Sequence, residues 1–145
     1  MSSVLKGGRL KGTRRDVVNF ISSLESDKRI AASTVLVNEA HVIALVKSGA
    51  IEKPDGRRIL RELRRLEGYK FPRRNAEDVH VLVEDYITKR TSRTVGGLLH
   101  LGKSRNDQVV TAIRMTLRNE ILVLWNQILA LEFSILNSAK RHITT

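Results

Sequence analysis

Residues 102–108 read GKSRNDQ and place two cations, a hydroxyl, two amides and a carboxylate within one short segment. A helix start needs only one polar side chain to accept a bond from its free N–H groups, and Asn106 or Asp107 fits that capping role. Ser104 and the other free N–H groups then remain for an anion, which the guanidinium of Arg105 grips with two parallel hydrogen bonds. The segment indicates either a site for a dicarboxylic or otherwise multiply anionic small molecule, or an ordinary capped turn with solvated cations.

Metal and thiol chemistry are not indicated by the composition. The chain has no cysteine, so it has neither a disulfide framework nor a thiolate metal site. Its four histidines lie far apart and show no metal-ligand spacing such as HExxH. We therefore expect no metal. These histidines are His41, His80, His100 and His142.

The net charge of +11 favours anionic partners, either nucleic acid or small polyanionic metabolites. The Arg-rich stretch 57–65 fits a nucleic-acid contact face, or a solvated helix face partly paired with Glu62 and Glu67. No aromatic residue interleaves the arginines, which favours the solvated face. A nucleic-acid partner is therefore not expected.

The elements that must position residues 102–108 are predicted to be helices. Apolar residues recur every three or four positions over 27–47, a pattern that Gly49 is predicted to end. A second helix is predicted from Pro54 to Gly68, and a third from a cap at Asn75 to about residue 89. A Gly-rich connection, 91–104, follows. Strand-like alternation is essentially absent, so we expect an all-α fold.

The longest element is predicted over 107–142, where no proline or glycine interrupts the chain. Its apolar residues recur at steps of three, four and seven, which is typical of a helical bundle or coiled coil. The shorter helices cannot cover it, so partner chains or sequence beyond Thr145 must do so. We expect a small N-terminal helical domain, 1–104, with an extended basic arm at 1–15. The first long helix of a central bundle, 105–145, follows it.

The chain is expected to be cytoplasmic and not to enter a membrane. Its N-terminus, MSSVLKGGRLKG, lacks the apolar core of a signal peptide. The longest uninterrupted apolar run is residues 121–125, far shorter than the roughly 20 residues that a membrane span requires.

Four segments, in order, resemble the argininosuccinate lyase family of the fumarase/aspartase superfamily. KGGRL is similar to the Gly-Gly-Arg opening of that family, and FISSLESDKRI to its Phe-x-x-Ser-x-x-x-Asp segment through Phe20, Ser23 and Asp27. NAEDVHVLVEDYI resembles the Glu-Asp-x-His helix through Glu77, Asp78 and His80. The stretch GGLLHLGKSRNDQVVTAIRMTLRNEI resembles the loop that ends in Ser-Arg-Asn-Asp-Gln before a long central helix.

This resemblance implies cleavage of argininosuccinate to arginine and fumarate without a cofactor. Ser23 and Asn106 correspond to substrate-binding positions, with Asp78, Ser104 and Arg105 as neighbours in the same pocket. The family builds each active site from three subunits of a homotetramer. Its catalytic histidine and serine segments do not occur in this sequence, so catalytic residues are expected beyond residue 145 and none is assigned in this chain.

We therefore expect an N-terminal portion of an argininosuccinate lyase that is inactive alone. Two departures from the family pattern lie beside the site: Leu101 replaces a threonine and Lys103 an arginine. Arginine and lysine are not equivalent where two parallel hydrogen bonds are needed. The alternatives are a basic helical nucleic-acid-binding module, and a non-catalytic remnant that oligomerises through its long helix.

Overall fold

The computed structural model describes residues 14–68 and 76–144, and within these it is all-α, as expected. The described residues form seven α-helices and one 3₁₀ turn, with no strand. The expected basic arm at 1–15 lies almost entirely outside them. The helices are α1 (Arg15–Ile21), α2 (Leu24–Asp27), α3 (Ala31–Lys47), α4 (Lys53–Arg64), α5 (Val79–Arg90), α6 (Arg93–Gly97) and α7 (Arg105–Arg141), with the 3₁₀ turn (Leu98–His100) between α6 and α7.

The helix predicted over 27–47 is α3, which begins later than predicted. The short α2 ends at Asp27, and α3 begins only at Ala31 because Ile30, at φ −95° and ψ 0°, lies outside the helical region. The predicted end is confirmed, since α3 stops at Lys47 and Gly49 follows with φ +75°. That left-handed conformation is open to glycine at little cost and is typical of a residue just past a helix.

The second and third predicted helices exist with different boundaries. Pro54 lies in the first turn of α4, as predicted, but α4 ends at Arg64, well before Gly68. The third helix, α5, begins at Val79, and its cap is Asp78, whose Oδ1 accepts a 2.7 Å hydrogen bond from the Val81 N–H. The predicted cap, Asn75, lies outside the described residues.

The core lies where α3, α4 and α5 meet the Gly-rich connection. Each of these elements contributes side chains with no exposed surface, including Val42 from α3, Ile59 and Leu63 from α4, and Ile87 from α5. The predicted connection, 91–104, is itself partly helical and buries Leu99 in the same cluster. These contacts fix the position of the chain immediately before residues 102–108.

The long helix α7 spans 37 residues, or about 55 Å at 1.5 Å per residue. Its cap position is Ser104, so the predicted capping by Asn106 or Asp107 is wrong. Those two residues lie in the first turn, where the acidic Asp107 still favours the positive end of the helix dipole. The first turns of α7 pack on α3, where the hydroxyls of Ser33 and Thr116 are 2.8 Å apart.

Beyond these first turns α7 is exposed. Among its residues only Gln108 and Ala112 are buried. By length and composition alone α7 also satisfies the requirements for a membrane-crossing helix, although an inner helix of a soluble bundle meets them too. Its exposed large apolar side chains are Val110, Ile113, Leu117, Ile121, Leu122, Val123, Leu124, Trp125, Ile128, Leu129, Leu131, Phe133, Ile135 and Leu136.

Candidate functional site

The loop at 101–104 joins the 3₁₀ turn to α7, and α3 holds one side of it. The ring Nε2 of His41 lies 3.0 Å from the carbonyl oxygen of Leu101. The ammonium of Lys103 donates a 2.5 Å hydrogen bond to Oδ1 of Asn38, a residue only 1% exposed. Gly102, between these contacts, adopts φ +63°, a conformation that favours glycine. The loop path is therefore set by specific contacts with α3.

The helix α5 holds the other side of the loop through Glu84, which is 8% exposed. Oε1 of Glu84 lies 2.8 Å from Nδ1 of His100 and 3.6 Å from Nη1 of Arg105. None of these three atoms has a partner with hydrogen-bond geometry. The contacts of Glu84 with His100 and with Arg105 are therefore close approaches of charged or chargeable groups and not aligned hydrogen bonds. Glu84 thus lies between the residues that precede and follow the loop.

Asp78 connects the start of α5 to the start of α7. Its Oδ1 caps α5, and its Oδ2 lies 3.6 Å from Nη2 of Arg105. Arg105 is therefore bracketed by two carboxylates, those of Asp78 and Glu84. A guanidinium held in this way keeps one orientation more strictly than a freely solvated one.

Ser23 reaches the same region through Asp27. The Ser23 hydroxyl donates a 2.8 Å hydrogen bond to Oδ2 of Asp27, which also accepts a 3.1 Å bond from the Val79 N–H. The Ser23 N–H donates to the Glu77 carbonyl at 2.8 Å. These bonds attach the segment around Ser23 to the N-terminal end of α5, beside Asp78.

The structure therefore brings only some of the five residues predicted to bind substrate into contact. Asp78 and Arg105 are in contact, and Ser23 lies against the same end of α5. Ser104 and Asn106 flank Arg105 in the sequence, and both are exposed. Within the described part of the chain no side-chain hydrogen bond or ion pair links Asn106 to the other four.

Burial controls the protonation of the basic groups around the loop. It lowers the pKa of Lys103 to about 8, against a smaller raising effect of the Glu84 carboxylate. Burial also lowers the pKa of His80 and of His41, so both imidazoles are neutral at neutral pH. Neither ring nitrogen of His80 has a hydrogen-bond partner among the described residues, although its side chain is buried.

A recess of about 220 Å³ opens beside the first turn of α7. The helix N-terminus and Lys103 contribute positive charge to this recess, and Asp107 contributes a negative charge. Gln108 is 2% exposed, and neither polar atom of its amide has a partner among the described residues. The polar residues that line the recess are His41, Lys103, Ser104, Asp107, Gln108 and Thr111.

Sequence reasoning missed Glu84 and the pair formed by Lys103 and Asn38. The available signal for Glu84 was its spacing of four residues from His80, which places two ionisable groups on one face of a largely apolar helix. Both side chains are buried. No group of three or more histidines and carboxylates within 14–68 and 76–144 is arranged to hold a metal ion.

Similarity to curated proteins extends over the whole chain, although no protein-family model matches it. It is 35% identical over 148 aligned positions to the argininosuccinate lyase of Methanosarcina mazei, an alignment that covers 100% of the chain. The corresponding protein of Methanococcus maripaludis is 32% identical over 99% of the chain, and that of Methanosphaera stadtmanae 43% identical over 81%. The chain is a relative of the argininosuccinate lyases.

The resemblance to the argininosuccinate lyase family inferred from four short segments is therefore confirmed. The chain spans about 30% of the length of the curated relatives it matches. That share agrees with its interpretation as an N-terminal portion.

Proposed function

We propose that this chain forms one wall of the substrate pocket of an argininosuccinate lyase, which cleaves argininosuccinate to arginine and fumarate in arginine biosynthesis. One observation carries the proposal: Arg105 is held between the carboxylates of Asp78 and Glu84 at the start of α7, with Ser104 and Asn106 exposed on either side. In the segment that resembles the family most specifically, a fixed cation thus lies beside exposed hydrogen-bonding groups. The exposed donors at this helix N-terminus suit a carboxylate group of the substrate, while the two acidic neighbours orient Arg105 and partly offset its charge.

The reaction is an elimination in which the chain supplies binding groups. A base removes the proton next to a carboxylate, the carbon–nitrogen bond breaks, and an acid protonates the departing guanidino nitrogen. Negative charge develops on the carboxylate in the transition state and needs positioned donors and cations. Arg105 and Asn106 fill that role, with Ser23, Asp78 and Ser104 lining the same pocket. The proton-transfer groups come from other segments, and no cofactor takes part.

Assembly forms part of the same proposal. Residues 1–104 form the N-terminal domain, and 105–145 begin a central bundle in which α7 packs against α7 of other subunits. The exposed apolar side chains along α7 support this, because monomeric soluble proteins rarely leave so large an apolar surface uncovered. The proposed enzyme is a cytoplasmic homotetramer.

The nucleic-acid alternative gains no support. Arg65 pairs with both carboxylate oxygens of Glu62, at 2.7 and 3.0 Å, and Arg58 lies 3.9 Å from Asp55. The basic face of α4 is thus partly neutralised by its own acidic residues, as the solvated-face interpretation predicts.

The test uses the intact gene product and follows fumarate release by its ultraviolet absorbance. Asn106→Ala and Ser23→Ala should each lower turnover by about 10²-fold, because each removes a hydrogen-bonding group from the proposed substrate pocket. Both side chains are exposed, so the free energy of unfolding should change little. Asn19→Ala and Ser26→Ala are the matched controls, since they remove the same groups from exposed positions. Normal turnover in both site variants would show that the residues were wrongly assigned.

A further inference from the structure

Glu84 is a buried glutamate on α5. Val83 and Ile87, which lie close to it in the sequence of α5, belong to the hydrophobic core and have no exposed surface. A carboxylate at such a place is strongly disfavoured unless cationic groups compensate its charge. The groups that approach the Glu84 carboxylate therefore indicate its role.

The groups that approach the Glu84 carboxylate come from one short stretch of chain, 100–105. His100 approaches Glu84 at 2.8 Å and Arg105 at 3.6 Å, and the Lys103 ammonium is close enough for the carboxylate to raise its pKa. His100 precedes the loop and Arg105 follows it. One buried carboxylate thus holds both ends of the loop, while Asn38 and His41 of α3 hold its middle.

We propose that Glu84 is a positioning residue: through His100 and Arg105 its carboxylate sets the orientation in which Arg105 and Asn106 meet the substrate. The inference rests on the proposed function, because those two residues are assigned to substrate binding there. Asp78 does not replace Glu84 in this role. One of its oxygens caps α5, and although Asp78 approaches Arg105 as closely as Glu84 does, no ion pair among the described residues joins it to His100 on the other side of the loop.

The kinetic test compares Glu84→Gln with Glu62→Gln in the intact gene product. Glu62 is a matched control because it is also a buried glutamate, 7% exposed, that pairs with an arginine away from the loop. Glu84→Gln should raise KM for argininosuccinate by about tenfold and lower kcat as well, since a misplaced Arg105 weakens binding of the substrate and stabilisation of the transition state. Glu62→Gln should leave KM unchanged.

A merely structural role predicts a different result. It would reduce the folded fraction, and so the apparent kcat, equally in both variants while KM stayed at its wild-type value. Equal KM values for Glu84→Gln and Glu62→Gln would therefore overturn the proposal. Glu84→Asp keeps the charge on a shorter side chain and should give an intermediate KM. If Glu84→Gln does not fold, a wild-type KM in Glu84→Asp is the result that overturns the proposal.

A second readout does not depend on activity. The reactivity of the Lys103 amine toward an acylating reagent, followed by mass spectrometry across pH, reports its pKa, which is about 8 in the wild type. Loss of the carboxylate in Glu84→Gln should lower that pKa further, whereas Glu62→Gln should not change it. If the wild type shows no lyase activity, the proposed function fails. The reactivity of Lys103 then still decides whether the charge of Glu84 acts on the loop. An unchanged pH dependence of that reactivity in Glu84→Gln would contradict such an action.

Discussion

The packed helices α3 to α6 and the outer part of α7 carry the same apolar repeat, but only the packed helices bury it. Ile59 and Leu63 of α4 have no exposed surface, whereas Leu117 and Leu124 of α7 are each 55% exposed. Both regions are regular helix. The repeat of three and four residues therefore specifies a helix with an apolar face, and it does not specify which chain covers that face.

The physical meaning of the difference lies in what each face gains from burial. Removing apolar surface from water contributes about 25 cal/mol per Å², and within the described residues the outer part of α7 has nothing to pack against. The packed helices bury their apolar faces against one another within this chain. The outer part of α7 can bury its apolar face only against groups that lie outside the described residues.

The largest expected effect is on assembly. Leu117 and Leu124 are seven residues apart and lie on one face of α7, so the double variant Leu117→Asp with Leu124→Asp places two charges in the proposed bundle. We expect loss of self-association, measured by sedimentation of the intact gene product. Asn126→Asp, which adds one charge to a position already polar, is the control. Unchanged sedimentation of the double variant would show that this face is not the interface.

The next effect compares the two regions directly in chemical denaturation. Leu63→Ala should lower the free energy of unfolding by about 2–5 kcal/mol, because it opens a cavity in a closed core. Leu124→Ala, measured where the chain is dissociated, should change it by less than about 0.5 kcal/mol, since that side chain is already largely in water. Equal losses at both positions would mean that α7 is covered within this chain.

A smaller effect is expected at the cap of α5. Asp78→Ala removes the acceptor for the Val81 N–H and should lower the free energy of unfolding by about 0.5–2 kcal/mol. Asp78→Asn keeps a capping oxygen and removes the charge that faces Arg105, so it should be less destabilising. Thermal unfolding of both variants separates the two roles. A larger loss for Asp78→Asn than for Asp78→Ala would contradict the capping role.

The smallest effect is a pH dependence from Lys103. Its pKa is about 8 in the fold and 10.5 in an unfolded chain, so between these values the unfolded chain binds more protons. The contribution of Lys103 to stability must then rise with pH across that window. The charged or chargeable groups that interact with it are His41 on α3, His80 and Glu84 on α5, and Arg105 on α7.

The measurement is the free energy of unfolding of the wild type and of Lys103→Met at about pH 7 and about pH 10. The wild type should gain stability relative to the variant at the higher pH. Parallel pH profiles would show that Lys103 is solvated like the other lysines.

Much of the fold was predictable because helices leave local signals. The period of three and four residues located α3, α4, α5 and α7, and Gly49 marked the end of α3. Helix starts were harder to predict, because several polar residues compete near each one. The cap of α5 is Asp78 and not the predicted Asn75. Asp27 also accepts a hydrogen bond from the Val79 N–H at the start of α5, and no local sequence pattern indicates that long-range contact.

The candidate site, like the fold, was predictable only where the signal is local in the sequence. Residue types alone marked 102–108 as a place where an anion and a helix start meet, and the family resemblance pointed to Ser23 and Asp78. The sequence by itself thus determined the helical class, the apolar face of α7 and the identity of the polar segment. All three depend on residues near each other in the chain.

Only the tertiary structure decided that Glu84 lies between His100 and Arg105, and that Lys103 reaches Asn38. Each of these contacts joins residues on different helices. Their distances follow from how α3, α5 and α7 pack, and side-chain packing is not encoded in any short stretch of sequence.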